Sequence, residues 1–394
     1  MANVTEPRFD STHTSPHLHS YFDYNATTPM DTRVLEAMLP YFCKEFGNAS
    51  SDNHRFGWQA RSAVERARSH VARLIDASPE EVFFTSGATE SINMVLQGVV
   101  EEFMDSDDPI HIITTNAEHK ATINTCQALS GRGIEITYLP VNRYGQVQPD
   151  QVSAALRPHT RLVSIIMANN EIGSINPVDE IGKVVKNCNV LYHLDAAQAV
   201  GKMPLRVSDL DVDFVSISGH KIYGPKGIGA LYKKSDAPLK PIIFGGTQEF
   251  GLRPGTLNVP AIVGLGRACE IYQHEQHQES SRITQLRDRL IQKILSEVPK
   301  ARLNGHPTLR LCNNASFAFQ GVSPEIISQH LRNFAISSSS ACNSACTEPS
   351  HVLQAIGLPE DLARSTIRIG LGRETSVQDV DALAAAIVQM PHPQ

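Results

Sequence analysis

Six short apolar runs punctuate the middle of the chain: His111 to Thr115, Ile134 to Leu139, Arg161 to Ala168, Val190 to Leu194, Asp213 to Ser218 and Ile228 to Tyr232. Helical patterns such as Asn116 to Ala128 and Pro177 to Lys186 lie among them. Strand-length apolar runs alternating with helices predict an α/β fold around a mainly parallel sheet, because parallel neighbours need a crossover that covers the sheet faces. Ligands of such sheets collect at the C-terminal strand ends.

Three strand ends carry residues suited to chemistry. Ser218-Gly219-His220-Lys221 follows one run, with Gly224, Gly227 and Gly229 close behind. A lysine held at a sheet mouth becomes nucleophilic when burial or charge lowers its pKa, which suits a Schiff base with a carbonyl cofactor. Its bland alternative is a solvated surface lysine. Val190 to Leu194 ends on Asp195, followed by Ala196, Ala197 and Gln198. A carboxylate there can hold the ring proton of pyridoxal phosphate, although it can also cap a helix. Glu81 to Ser86 reads as a strand, and Gly87-Ala88-Thr89-Glu90 leads into the helical run Ser91 to Val100. That junction offers free N–H groups and the positive end of a helix dipole to a phosphate, with the Thr89 hydroxyl as a further donor.

The 394 residues suffice for two domains. A net charge of −6 leaves no basic footprint, so direct nucleic-acid binding is not predicted. No apolar segment approaches the roughly 20 residues of a membrane span. Residues 1–20 are polar, with His13, His17 and His19, and are expected to be a disordered tail unlike a transit peptide. The seven cysteines are an odd, mostly scattered set, which suits a reducing cytoplasm. Cys188 and Cys269 read as small buried hydrophobes. After about Gly266 the texture changes. A charged amphipathic stretch, Cys269 to Val298, precedes short strands near Ala315 to Phe319, Ala335 to Ser338 and Thr366 to Gly370, then a helical run from Val377 to Met390. This reads as a second domain.

Several motifs together carry a family resemblance. They are Tyr24-Asn25-Ala26-Thr27-Thr28-Pro29, Phe84-Thr85-Ser86-Gly87-Ala88-Thr89-Glu90, Ala117-Glu118-His119-Lys120, Asn169-Asn170-Glu171-Ile172-Gly173, Ser218 to Gly227 and Ser340-Ala341-Cys342. From about Tyr21 to Arg373 the chain resembles the NifS/IscS-like cysteine desulfurases, pyridoxal-phosphate enzymes of fold type I in the class V aminotransferase superfamily. The resemblance implies a large cofactor-binding domain over residues 38–267 with a mainly parallel seven-stranded sheet. A smaller α+β domain would comprise residues 21–37 and 268–394 and carry the catalytic-cysteine loop.

The resemblance also implies roles. Lys221 would bond to the cofactor and move the substrate Cα proton. Asp195 would pair with the pyridinium nitrogen, with Gln198 and Asn170 near the ring oxygen. Ala88, Thr89, Ser218 and His220 would hold the phosphate, and Thr256 would reach the cofactor of a partner subunit, which implies a homodimer. His119 would stack on the ring as general acid or base. Arg368 would grip the α-carboxylate of L-cysteine, since guanidinium binds carboxylate through two parallel hydrogen bonds. Cys342 sits in Ser337 to Cys346, a run of small polar residues that predicts an exposed, mobile loop. Its thiolate would take the substrate sulfur as a persulfide, release alanine and pass the sulfur to a protein acceptor. Iron-sulfur cluster assembly, tRNA thiolation and DNA phosphorothioation remain open as destinations.

Ser339 stands where relatives usually have glycine, and Cys346 where they often lack a thiol. Phe250 and Pro254 replace a more usual arginine and serine. The chain ends at Gln394 without the longer tail expected of assembly-type relatives. Three alternatives stand beside this reading: a selenocysteine lyase or other fold type I enzyme, a non-catalytic sulfur-carrier platform, and a metal site from Cys342, Cys346 and His351, which lacks a fourth ligand nearby.

Overall fold

The computed structural model describes residues 20–104, 108–338 and 349–391. The tail expected over residues 1–20 lies outside these except for Ser20, and so do Ser339, Cys342 and Cys346. Ser20–Tyr21 (β1) opens the described chain. The large sheet has seven strands: β2 (Val82–Thr85), β3 (His111–Thr115), β4 (Glu135–Leu139), β5 (Thr160–Ile166), β6 (Leu191–Asp195), β7 (Phe214–Ser218) and β8 (Gly229–Lys233). Their order is β2-β8-β7-β6-β5-β3-β4. Only β8 is antiparallel to its neighbours. The apolar runs are buried because helices cover both faces, while β4, at an edge, keeps exposed positions.

The antiparallel placement of β8 decides where the site can lie. The ends of β2 and β7 meet the start of β8, with Thr85 and Ser218 both opposite Gly229. A Cβ on Gly229 would lie 2.4 Å from the Ile217 carbonyl oxygen and 2.6 Å from the Gly87 Cα, so only glycine lets the two strand ends come this close.

The helix expected over Asn116 to Ala128 begins later, at Lys120, and runs to Ser130. Asn116 accepts a hydrogen bond from the Val141 N–H instead, and Glu118 is fully buried, which holds the start of this segment out of the helix. Cys188 is exposed rather than buried, because it follows the last turn of the helix Val178–Asn187 at the surface. Cys269 is buried as expected.

A second sheet is antiparallel, in the order β12-β13-β10-β9. Its strands are β9 (Ala301–Asn304), β10 (Asn314–Phe319), β12 (Ser337–Ser338) and β13 (Thr366–Gly370). β11 (Phe334–Ala335) pairs with β1. The amphipathic stretch is part of a longer helix, Val259–Glu297, of 39 residues. Its first half packs Ile262, Leu265 and Ile271 into the core of the large sheet. Its second half packs Ile283, Leu290 and Ile294 against Phe317, Phe319 and Ile367 in another core. The chain therefore changes core between Ile271 and Ile283, later than the residue 267 expected. Val34 joins the first core and Phe22 the second, so the earlier crossing precedes residue 37. Among the described residues no helix is long and apolar enough to cross a membrane.

Candidate active site

A cavity of about 580 Å³ opens at the ends of β2, β6 and β7. Lys221 enters it from a 3₁₀ turn, Gly219–Lys221, that directly continues β7. Its Nζ donates to the Asn25 carbonyl at 2.6 Å and the Ala26 carbonyl at 2.7 Å. Burial lowers the pKa of this amine from 10.5 to about 7, with the Lys202 and Arg368 cations adding to the effect and Asp23 and Asp195 opposing it. An amine of that kind is available as a nucleophile near neutral pH.

Asp195, the last residue of β6, lines the same cavity and is 3 % exposed. Its Oδ1 accepts from the Ala197 N–H at 3.0 Å. The capping alternative is thus met by a turn, and the other oxygen remains for a ligand. Burial pushes the Asp195 carboxyl up, against the pull of His119, the Ala197 N–H and Lys221.

The helix Ala88–Phe103 starts at the cavity wall behind Gly87, whose φ of 150° excludes side-chain-bearing residues. The first N–H bonded back into the helix is that of Ser91, to Gly87 at 3.2 Å. The N–H groups of Ala88 and Thr89 precede it, and both residues line the cavity. Ser218 and His220 line it too. The His220 Nδ1 meets the Thr27 hydroxyl at 3.1 Å, and burial lowers its pKa to about 4. It is therefore neutral, and when Nδ1 accepts from Thr27 its Nε2–H is free to donate.

His119 accepts the Ala121 N–H at Nδ1 (3.1 Å) and so caps the helix that follows. That bond places the ring proton on Nε2. Gln198 donates to the Asn25 carbonyl at 2.8 Å, and Asn170 borders the cavity beside His119. A second cavity, of about 510 Å³, adjoins the first through His119 and Asn170 and reaches Arg368 on β13. Arg368 donates to Asp23 Oδ1 at 2.9 Å and to the Ser337 hydroxyl at 2.8 Å. Its buried Nε has no hydrogen-bond partner among the described residues.

Thr256 is exposed and lines neither cavity. Cys342 lies outside the described residues. No cluster of potential metal ligands occurs among the described residues. His351 donates from Nε2 to the Glu118 carbonyl at 2.8 Å.

Sequence reasoning assigned no role to Asp23, Asn25, Ala26, Glu118 or Lys202. Asn25 and Ala26 lie in the quoted motif Tyr24 to Pro29, and Glu118 in Ala117 to Lys120, so the signal was present without its reason. The Glu118 carboxyl is fully buried, bonded by the Thr115 hydroxyl at 2.7 Å, and pushed by burial to about 8. The constellation fits pyridoxal phosphate: a depressed lysine for its aldehyde, a buried carboxylate for its ring nitrogen, and unspent helix N–H groups with Ser218 and His220 for its phosphate.

Comparisons with known proteins give the family. A family profile described as Aminotransferase class-V matches residues 20–383. The human protein named cysteine desulfurase is 47% identical over 373 residues, covering 94% of this chain and 81% of its own length. Cysteine desulfurase IscS of Rickettsia typhi is 47% identical over 363 residues, with 92% and 88% covered. A solved NifS-like protein superposes with a TM-score of 0.87 at 38% identity, over 94% of this chain and 99% of its own. SspA in complex with cysteine gives 0.80 at 38% identity, over 89% and 98%.

Proposed function

The chain belongs to the class-V aminotransferase family and, within it, to the cysteine desulfurases, and from that premise we propose how its residues divide the work. The observation that carries the reading is Lys221, an amine depressed to about 7 in one cavity with the Asp195 carboxylate. Bound there, pyridoxal phosphate supplies an aldehyde for amines and an electron sink for bond changes at the substrate Cα and Cβ. Asp195 holds the ring nitrogen, Ala88, Thr89, Ser218 and His220 hold the phosphate, and Gln198 and Asn170 flank the ring. Arg368 binds the carboxylate of L-cysteine, exchanging Asp23 and Ser337 for it. With the cofactor bound, Lys221 would be the base that carries the Cα proton, and His119 would hold or deliver a proton at Nε2.

Cys342 supplies the acceptor thiolate. Its sulfur bonds to the substrate sulfur as the Cβ–S bond breaks, the electron pair of that bond stays with the substrate carbon skeleton, and Cβ takes up a proton, so that a persulfide remains on Cys342 and alanine is the co-product. The persulfide then passes to a protein acceptor of a cluster-assembly, tRNA-thiolation or DNA-phosphorothioation system. A homodimer is supported by exposed Thr256 and by Phe244 and Phe250, 86% and 72% exposed, on the same stretch. Free thiols at every described cysteine are consistent with a reducing compartment such as the cytoplasm.

Alanine release from L-cysteine by the purified yellow protein, run beside Cys342→Ala, tests this. We expect release by the parent and loss of turnover, with cofactor retained, in the variant. Undiminished alanine and sulfide from Cys342→Ala would remove Cys342 from the mechanism and favour a lyase or aminotransferase chemistry.

A further inference from the structure

A third cavity, of about 570 Å³, lies apart from the active site where the long helix passes from one core to the other. Its wall joins three parts of the chain: Lys202 after the turn beyond β6, the helix face that carries Ser280, Thr284 and Arg287, and the segment Thr308–Cys312 with Arg310. No aspartate or glutamate lines it.

The three cations are deeply placed, with Lys202 8%, Arg287 6% and Arg310 4% exposed. Arg310 donates only to neutral oxygens, among them the carbonyls of Asn314 at 3.2 Å and Ile172 at 3.1 Å. Lys202 donates to the Gln198 carbonyl at 3.2 Å and to its side-chain oxygen at 2.9 Å, which leaves one N–H unspent. Arg287 alone has a carboxylate, Asp288 at 2.7 Å, which is 58% exposed. The nearby Glu279 is committed to Arg373 at 2.9 Å. Burial lowers Lys202 to about 8 and, with help from Arg287, Arg310 to about 9, so both still carry charge at neutral pH.

Buried cations without counter-charge are costly. A cavity walled by two such cations, Lys202 and Arg310, and by Arg287 with its exposed Asp288 partner, has hydroxyls and no acid in its lining and concentrates anions. We propose that this cavity is a binding site for a phosphate-type oxyanion, free or on a small organic molecule. The anion would take the spare Lys202 N–H and the Thr284 hydroxyl, and would draw the Ser280 and Thr308 hydroxyls from their long contacts with the Lys202 carbonyl and the His306 ring, each 3.4 Å, in the field of Arg287 and Arg310. It would tie the two cores together at their crossing. It would also be felt at Lys221, because Lys202 bonds Gln198, Gln198 bonds the Asn25 carbonyl, and Lys221 donates to that same carbonyl.

The test is calorimetric titration of the cofactor-loaded protein with sodium phosphate, and separately with glycerol phosphate, at constant ionic strength. Cofactor loading keeps phosphate out of the Gly87 cradle. An Arg368→Ala host run in parallel removes the substrate-carboxylate position. The rim residues Ser281 and Gln285 are exposed, so Ser281→Glu and Gln285→Glu add negative charge without disturbing a core. We expect saturable one-site binding that persists in Arg368→Ala and weakens roughly tenfold or more in either glutamate variant. Binding of phosphate alone would mark a site for the free ion, and binding of both would mark one open to organic phosphates. Absence of saturable heat with either probe, equal affinity in the glutamate variants, or loss of binding in Arg368→Ala would overturn the proposal.

Discussion

Lys221 offers the sharpest test of the site, because its depressed pKa fixes how fast cofactor-free protein captures pyridoxal phosphate at each pH. At pH 7 an ordinary lysine of pKa 10.5 is neutral in only ~1 molecule in 3,000, whereas an amine of pKa about 7 is neutral in about half. Lys221 therefore gains roughly 1,500-fold in reactive form at that pH. Capture is followed by the absorbance of the protein-bound imine after rapid mixing. Nα-acetyl-lysine, measured against the same cofactor, divides out the cofactor's own titration. The ratio of the two rates is expected to be constant below pH 7 and then to fall tenfold per pH unit until 10.5, as the reference amine catches up. Lys202→Met removes a cation that holds Lys221 down, so the break should move to higher pH. A ratio that stays flat from pH 6 to pH 9 would show an ordinary lysine and refute the reasoning.

Other perturbations read the supports of the site. Glu249 accepts from Arg68 at 2.7 and 2.9 Å and from the Phe84 N–H at 2.7 Å, with both side chains nearly inaccessible. Glu249→Gln should cost about 3–5 kcal/mol by leaving a buried guanidinium with only the exposed Glu65 carboxylate, at 3.2 Å, as counter-charge, and Arg68→Met/Glu249→Leu should recover most of it. Chemical denaturation measures both, and a loss under ~1 kcal/mol for the single variant would contradict the account. Gly229→Ala should cost ~1–3 kcal/mol and loosen cofactor retention, since its Cβ has no room between Ile217 and Gly87. Gly227→Ala, with nothing within 4 Å of a new Cβ, should incur only backbone strain from its φ of 79° and hold cofactor normally. Arg368→Lys should raise KM for L-cysteine roughly tenfold or more with the cofactor spectrum unchanged, because an ammonium cannot grip a carboxylate bidentately.

The large sheet was legible because its strands are short apolar runs whose ends carry distinctive residues; Lys221 and Asp195, which line one cavity, were picked out from strand position and residue type alone. Partners at great sequence distance were not. Lys221 meets Asn25 across 196 positions and Arg368 meets Asp23 across 345, separations that no local pattern encodes. The misplaced helix start at Asn116 has the same origin, since long-range burial of Glu118 overrode local periodicity. Cys188 failed for another reason. Residue type speaks to average burial, but the helix end before it set its exposure.

With Arg368 in the proposed role, those distant partners would connect substrate recognition to proton chemistry. Arg368 lowers the proton affinity of Lys221, and Asp23 raises it, while the two side chains are bonded to each other at 2.9 Å. A substrate carboxylate that binds Arg368 offsets its cation and frees Asp23 from its counter-charge. Both changes act on Lys221 in the same direction, toward holding a proton. The amine that must be neutral to capture the cofactor would thus become a stronger base on substrate binding at Arg368. Ser337, which donates to Asp23 at 2.8 Å and accepts from Arg368, stands at the same junction on β12. Substrate binding at Arg368 would therefore also break a contact between that strand and the segment Asp23 to Ala26, in which the Asn25 and Ala26 carbonyls hold the Lys221 amine.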